Sequence, residues 1–117
     1  MFLKVLHAKI HRATITDANT DYVGSITIDR QLMDAAGMLV GQCVLVVDLA
    51  NGERFETYVI EGPAGSGTIC INGAAARLVN VGDLIIIMAF AYAEPEEAAR
   101  ITPKIVHVDA DNRVIAE

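Results

Sequence analysis

The chain has 117 residues, of which 53% are hydrophobic, and a formal net charge of -6. This length suits one compact domain, 1–117, and the surplus of apolar residues favours association of identical chains. The acidic balance argues against a nucleic-acid partner, because phosphate binding depends on clustered Lys and Arg. Any anionic substrate would therefore need a local cationic pocket.

The sequence also argues against a membrane span, a secretory signal and a metal site. The longest apolar run, Leu84 to Ala93, reaches about half of the roughly 20 residues that a transmembrane helix requires. The first residues lack the apolar stretch of a signal peptide, so we expect a cytoplasmic protein without a membrane partner. Cys43 and Cys70 stand in apolar contexts without metal-ligand or disulfide spacing, which predicts two buried structural thiols.

Short β-rich segments separated by turn signals predict a small barrel or sandwich. The run from Phe2 to Ile15 favours one or two strands, although a helix is also compatible with it. Alternation along a strand places Lys9 and His11 on one face. A second strand is predicted from Tyr22 to Ile28, and Gly24-Ser25 interrupts it where glycine admits the close approach of another backbone segment.

A short helix and a hairpin are expected in the middle of the chain. Asp29 can cap a helix from Arg30 to Ala36, which Gly37 is well placed to end. The strands Val44 to Leu49 and Arg54 to Ile60 flank Asn51-Gly52, which is a strong hairpin signal. The middle of the sequence therefore predicts an antiparallel pair.

The second hairpin strand carries polar side chains on both faces. Period-two alternation places Arg54, Glu56 and Tyr58 together. Thr57 projects from the other face, so a role in the same site would place it at a rim or near a chain crossing.

The second half of the chain predicts further strands. A strand from Thr68 to Ile71 leads into Asn72 to Ala76, where small side chains leave backbone N–H groups reachable by a ligand. The apolar run from Leu84 to Tyr92 predicts a central strand covered on both faces. Ile105 to Val108 and Val114 to Ala116 are expected to be terminal strands.

Several of these features resemble, in order and spacing, the aspartate 1-decarboxylase family. Taken alone, a Gly-Ser pair in a strand is far more often a bulge than a reactive bond. The resemblance extends to about Pro103, and it rests on Lys9 with His11, Tyr22 before Gly24-Ser25, Arg54 with Thr57 and Tyr58, and Asn72-Gly73-Ala74-Ala75-Ala76. It implies a mainly β fold, a six-stranded double-psi β-barrel with short helices, assembled as a homotetramer.

The resemblance also implies a prosthetic group made from the chain itself. In this family the hydroxyl at the position of Ser25 attacks the carbonyl of Gly24, and the resulting ester breaks by elimination to leave a pyruvoyl group. The mature protein would consist of residues 1–24 and 25–117. The pyruvoyl ketone would serve in place of pyridoxal phosphate, without a metal, in converting L-aspartate to β-alanine for pantothenate and coenzyme A synthesis. Whether maturation needs a partner protein stays open.

Roles for charged and phenolic residues follow from the same resemblance. Arg54 is implied as a clamp on a substrate carboxylate, since a guanidinium can bind it through two hydrogen bonds, and Lys9 is implied as a second cation. Tyr58 is implied as the proton donor after carbon dioxide leaves, because a phenol with a pKa near 10 is protonated at neutral pH.

The other matching residues belong to processing or to the substrate pocket. Thr57 is associated with processing and lies beside the substrate in the family. His11 could help to bind substrate or be a structural histidine, and Tyr22 is a candidate for the pocket wall. The substrate-side loop is implied at Asn72 and the backbone of Gly73, Ala74 and Ala75.

Two other functions compete with this interpretation. The first is a noncatalytic β-barrel interaction domain in which Gly24-Ser25 is a bulge and Arg54 a surface charge. The second is a small DNA-binding β-fold of the swapped-hairpin type, which the acidic charge disfavours. Val47 and Arg77 depart from the family pattern without removing any implied catalytic group.

Overall fold

The structure, a computed structural model, describes residues 1–115. The predicted terminal strand from Val114 to Ala116 therefore lies partly outside the described residues. The elements in chain order are β1 (Leu3–Thr14), β2 (Asp17–Asn19), β3 (Ser25–Asp29), α1 (Arg30–Ala36), β4 (Cys43–Asp48), β5 (Arg54–Gly62), β6 (Ile69–Asn72), a 3-10 helix (Gly73–Leu78), β7 (Leu84–Ala93), α2 (Pro95–Ala98) and β8 (Lys104–His107). The predicted mainly β fold with short helices is confirmed.

The strands form one sheet in the order β2-β6-β3-β5-β4-β7-β1-β8, with the short strands β2 and β8 at its two edges. β3 pairs with β5, β1 with β8 and β2 with β6 in parallel, and the other neighbours are antiparallel. Just after β1, Thr16 donates its backbone N–H to the carbonyl of Ile69 at 2.8 Å, and its hydroxyl oxygen accepts from the Ile69 N–H at 2.9 Å. These bonds join β1 to β6 and close the six inner strands into a barrel.

The core lies inside this barrel and is built from alternate strand residues. Ile10, Ile26 and Ile87 are fully buried. The prediction that the apolar strand β7 is covered on both faces is wrong for a single chain: Ile85 is buried, whereas its neighbour Ile86 on the outer face is only half-buried. Only one face of each barrel strand points into the interior, so the side chains on the outer face of β7 stay partly exposed.

Helix α1 begins and ends where the sequence predicted. The Asp29 carboxylate accepts from the backbone N–H groups of Gln31 and Gly65 at 2.8 and 2.9 Å and from that of Gly67 at 2.8 Å. Burial by itself would raise the pKa of Asp29, but the hydrogen bonds from these amides outweigh it and hold the pKa below its usual value. Gly37 ends the helix in the left-handed conformation.

The predicted hairpin joins β4 to β5. Gly52 in its turn has a φ of 76°, which glycine adopts without strain. Asp48, at the end of β4, is fully buried and accepts from the Ala50 N–H at 2.8 Å. Burial raises the pKa of Asp48, and a hydrogen bond with Asp83 raises it further. Asp48 of the hairpin therefore lies beside Asp83, which belongs to the turn before β7.

The two cysteines differ in exposure. Cys70 is buried, as predicted, but Cys43 is exposed. Val44 takes the inward position at the start of β4, so its neighbour Cys43 points outward and donates its thiol to the Glu56 carboxylate at 3.2 Å. The prediction of two buried thiols therefore holds for Cys70 alone.

In the part of the chain that the structure describes, no helix has the length and apolar character needed to cross a membrane.

Candidate active site

The Gly24-Ser25 pair lies where an exposed loop enters the barrel. The strand predicted from Tyr22 to Ile28 begins only at Ser25, and residues 22–24 belong to the preceding loop. Tyr22 is 53% exposed and Ser25 only 1%. The peptide bond between Gly24 and Ser25 therefore joins an accessible segment to a buried one.

Two groups fix the hydroxyl of Ser25. It donates to the carbonyl of Val23 at 3.0 Å and accepts from the side-chain N–H of Asn72 at 3.0 Å. Asn72 stands directly opposite Ser25 in the β3/β6 pair and is itself 3% exposed. Strand pairing therefore holds Asn72 beside Ser25, and Val23 is held there because it stands two residues earlier in the same chain.

Gly73 packs directly on the backbone of Gly24. Its φ is 78°, and a Cβ at this position would lie 2.5 Å from the Gly24 Cα and 2.8 Å from the Gly24 nitrogen. Real side chains do not approach backbone atoms so closely. Position 73 therefore requires glycine for two independent reasons, backbone conformation and space.

Tyr58 and Arg54 lie on the outer face of β5, next to β3. Ile26 of β3 pairs with Val59 of β5 in parallel, so the preceding residues, Ser25 and Tyr58, are neighbours on the opposite face. Tyr58 is 39% exposed. Arg54 is exposed on the same face as Tyr58, roughly 13 Å along the strand. The predicted sharing of one face by Arg54 and Tyr58 is confirmed.

Three other predicted residues border this region. Thr57 lies on the opposite face of β5 from Tyr58 and is half-buried, as alternation predicted. Ala74 is exposed and Ala75 half-buried at the start of the 3-10 helix. The side chain of Asn72 makes no capping hydrogen bond to this helix, because its amide is directed toward β3.

Lys9 and His11 occupy a different part of the same chain. Both point outward from β1, since Ala8 and Ile10 between and beside them are fully buried. β1 is separated from β5 by β4 and β7, so the chain does not place these two residues beside Tyr58. The ring of His11 packs edge-on against His107 at 5.5 Å. Burial lowers the pKa of His11, and the charges of His107, Lys9 and Arg12 lower it further.

Comparison with known proteins assigns the chain to a family. The profile of the family described as aspartate decarboxylase matches residues 1–115. The chain belongs to the aspartate decarboxylase family. It is 60% identical over 116 residues to the aspartate 1-decarboxylase of Corynebacterium efficiens, covering 99% of this chain and 85% of that protein. The enzyme of the same name from Caldicellulosiruptor saccharolyticus is 61% identical over 115 residues, covering 98% of this chain and 90% of that protein.

Family membership makes the chain an enzyme and removes the noncatalytic barrel as an alternative.

Two designed proteins of the double-psi β-barrel class, mkDPBB_sym_86 and msDPBB_sym2, are similar in structure, with TM-scores of 0.48 and 0.46. They share 19% and 22% sequence identity with this chain and cover 68% and 74% of it.

The sequence analysis does not predict two polar residues that contact Asn72 in this candidate site. Thr27 accepts the second side-chain N–H of Asn72 at 3.0 Å, and Cys70 donates its thiol to the Asn72 carbonyl oxygen at 3.2 Å. A signal was present, because each residue stands two positions from a predicted site residue and so shares its strand face. Cys70 is predicted from the sequence only as a buried structural thiol, and no role is predicted for Thr27.

Proposed function

We propose that the chain cleaves itself between Gly24 and Ser25, and that residues 25–117 then decarboxylate L-aspartate to β-alanine through a pyruvoyl group formed from Ser25. Family membership and relatives that carry the name aspartate 1-decarboxylase support the reaction. The observation that carries the proposal is the Ser25 hydroxyl, buried and hydrogen-bonded immediately beside the Gly24 peptide.

The cleavage begins with attack of the Ser25 Oγ on the carbonyl carbon of Gly24. The C–N bond breaks as the C–O bond forms, which leaves an ester and frees the Ser25 nitrogen. Loss of the Ser25 α-proton then expels Gly24 as a carboxylate, and water replaces the nitrogen, which leaves as ammonia. Proximity supports the first step, because an unactivated serine needs a fixed approach to its target. Gly24 helps by lacking a Cβ that would crowd the attack.

The residues around position 25 fit a pyruvoyl group. The position is buried, and the Asn72 amide provides a hydrogen-bond donor within reach of it. When formed, the group supplies a ketone that condenses with the substrate amine and accepts the electron pair released with carbon dioxide. Burial keeps bulk water from this ketone, and the Asn72 donor can orient it.

Arg54 and Tyr58 supply the binding and proton-transfer functions. Arg54 is exposed and can clamp a carboxylate of aspartate through two charge-assisted hydrogen bonds. Tyr58 shares its face and is the neighbour of position 25 across the β3/β5 pair, so its hydroxyl can deliver a proton to the substrate carbon. Thr57 assists processing from the rim of the barrel.

Association of four copies completes the proposed enzyme. The outer face of β7 keeps Leu84, Ile86 and Met88 only half-buried, and apolar surface of this kind favours contact with another copy. Lys9 acts as the second substrate cation. Two strands separate Lys9 from β5 in its own chain, so the Lys9 that reaches the substrate belongs to a neighbouring copy.

The remaining parts of the proposal concern the pocket and the cell. Tyr22 borders the substrate, His11 helps to bind it from the same neighbouring copy that supplies Lys9, and Gly73, Ala74 and Ala75 present backbone N–H groups to it. The enzyme works in the cytoplasm and supplies β-alanine for pantothenate and coenzyme A. Its maturation either is spontaneous or uses a partner protein.

Mass spectrometry of the purified protein tests the proposal. We expect two fragments that separate before residue 25, the larger with a pyruvoyl group at its start, together with β-alanine formation from L-aspartate. A chain that stays intact on prolonged warming and with extract of its source cells would overturn the self-cleavage. A cleaved protein that consumes no aspartate would overturn the decarboxylation alone.

Arg54→Lys is expected to raise the KM for aspartate about tenfold or more while leaving cleavage unchanged. Lysine keeps the positive charge but loses the planar pair of donors that binds a carboxylate at two points. Steady-state kinetics of the cleaved variant measures this effect, and Arg100→Lys, at the end of the α2 region, is the matched control. An unchanged KM for Arg54→Lys would contradict the clamp.

Gly73→Ala is expected to slow cleavage by at least a hundredfold. The new Cβ would collide with the Gly24 backbone and force the Gly24-Ser25 peptide away from its observed position, and alanine is strained at a positive φ. A time course of fragment formation measures the effect. Gly82→Ala, which also has a positive φ but open space around its Cβ, controls for backbone strain alone. Equal slowing in both variants would show that the contact with Gly24 is irrelevant.

A further inference from the structure

We propose that Thr27 and Cys70 are positioning residues for self-cleavage, which hold the side-chain amide of Asn72 with its NH2 group toward the Ser25 hydroxyl. This inference rests on the proposed self-cleavage and adds two residues to it. Neither side chain needs to touch the Gly24 carbonyl, because both act through Asn72.

The pairing of β3 with β6 brings the four residues together. Ser25 stands directly opposite Asn72, and Thr27 directly opposite Cys70, in the antiparallel register. Residues two apart on a strand share a face, and directly opposite residues do so as well. Ser25, Thr27, Cys70 and Asn72 therefore form one patch, the β3/β6 polar cluster, on one side of the two strands.

Hydrogen bonds inside this cluster determine which way the Asn72 amide faces. Its two N–H groups go to the hydroxyl oxygens of Ser25 and Thr27, each at 3.0 Å, and its carbonyl oxygen accepts from the Cys70 thiol at 3.2 Å. Turning the amide by 180° would place the NH2 group against a sulfur, which is a weak acceptor. Cys70 and Thr27 thus both favour the observed orientation.

This orientation controls the hydroxyl of Ser25. A serine hydroxyl has one proton and two lone pairs. The proton is donated to the carbonyl of Val23, and one lone pair accepts from Asn72. One lone pair is left for the attack on Gly24. With the amide turned over, the carbonyl oxygen of Asn72 would compete for the Ser25 proton and draw the hydroxyl away from this arrangement.

The thiol of Cys70 is suited to be the donor. It is buried, and it must stay protonated to donate. Burial raises the pKa of Cys70, and the negative charge of Asp17, its partner in the β2/β6 pair, raises it further. The group is therefore a neutral thiol at physiological pH, and it donates to the Asn72 carbonyl.

The test compares cleavage rates of precursors purified from cells grown briefly at low temperature and then warmed. Thr27→Val removes the acceptor and Cys70→Ala removes the donor, each from a different strand. We expect each to slow the appearance of the 25–117 fragment by about fivefold to twentyfold, the effect of losing one hydrogen bond at the reacting group. Thr27→Ser and Cys70→Ser keep the hydrogen-bonding groups and are expected to cleave within about twofold of the unchanged chain.

Two further measurements separate positioning from folding. Cys43→Ala, which removes the exposed thiol outside the cluster, controls for cysteine loss and is expected to leave the cleavage rate unchanged. Thermal unfolding of each precursor reports its stability. If Thr27 and Cys70 only stabilised the fold, the cleavage rate would not be expected to recover in the Thr27→Ser and Cys70→Ser variants.

The possible outcomes separate this inference from the proposed function. Cleavage of Thr27→Val and Cys70→Ala at the unchanged rate, or serine variants as slow as these two, would overturn the positioning role while self-cleavage stands. A chain that never cleaves in its unchanged form would remove the proposed function and this inference together.

Discussion

Ser25→Ala is expected to yield a chain that is never cleaved and forms no β-alanine. The substitution removes the only atom proposed to attack Gly24 and also the precursor of the pyruvoyl group. Because Ser25 is small and buried at the start of β3, alanine fits its space. The loss of its hydrogen bond with Asn72 is expected to cost only about 1 kcal/mol of folding free energy. The intact mass and an assay for β-alanine measure both effects.

A matched control for this variant is available in the same chain. Ser66 is exposed and its hydroxyl donates to the carbonyl of Pro63 in the loop before β6. Ser66→Ala is expected to cleave and to decarboxylate aspartate like the unchanged protein. Production of β-alanine by an uncleaved Ser25→Ala chain would show that the reaction does not use a group made at position 25.

Tyr58→Phe is expected to separate the two reactions of the enzyme. Cleavage should proceed normally, because the Ser25 hydroxyl is held by Val23 and Asn72 and not by Tyr58. Turnover should fall by about 10²- to 10⁴-fold, the usual effect of removing a general acid. Intact mass reports cleavage, and the kcat for β-alanine formation reports turnover.

Tyr92 provides the control for loss of a phenol elsewhere. It is 70% exposed near the end of β7, and Tyr92→Phe is expected to retain full turnover. A kcat for Tyr58→Phe equal to that of the unchanged enzyme would rule out Tyr58 as the proton donor. A fall in kcat without a matching rise in KM would place the effect on the chemical step.

Much of the fold was predictable because its signals are local. The cap at Asp29, the glycine after α1 and the Asn51-Gly52 turn each act within a few residues, and the structure has the helix and the hairpin where these signals predicted them. The shared face of Arg54 and Tyr58 also follows from strand alternation. The family could be predicted because its motifs extend over most of the chain.

Some predictions failed because they depended on which strand lies beside which. The apolar sequence of β7 does not indicate that only one face of this strand reaches the barrel interior. The residues around Cys43 likewise do not indicate that the Cys43 side chain points outward. Separation of Lys9 from β5 by two strands is likewise a property of the sheet order. Each depends on pairing between distant segments.

Local signals in the sequence were enough to predict the helix, the hairpin, the chain's family and the groups that can do chemistry. How those groups are held became clear from the folded chain. Ser25 and Asn72 are 47 residues apart, yet their hydrogen bond and the contact of Gly73 with Gly24 depend on the pairing of β3 with β6. A hydrogen bond of about 3 Å between strands requires a fixed register, and that register is set by burial of the whole sheet face and by no single motif.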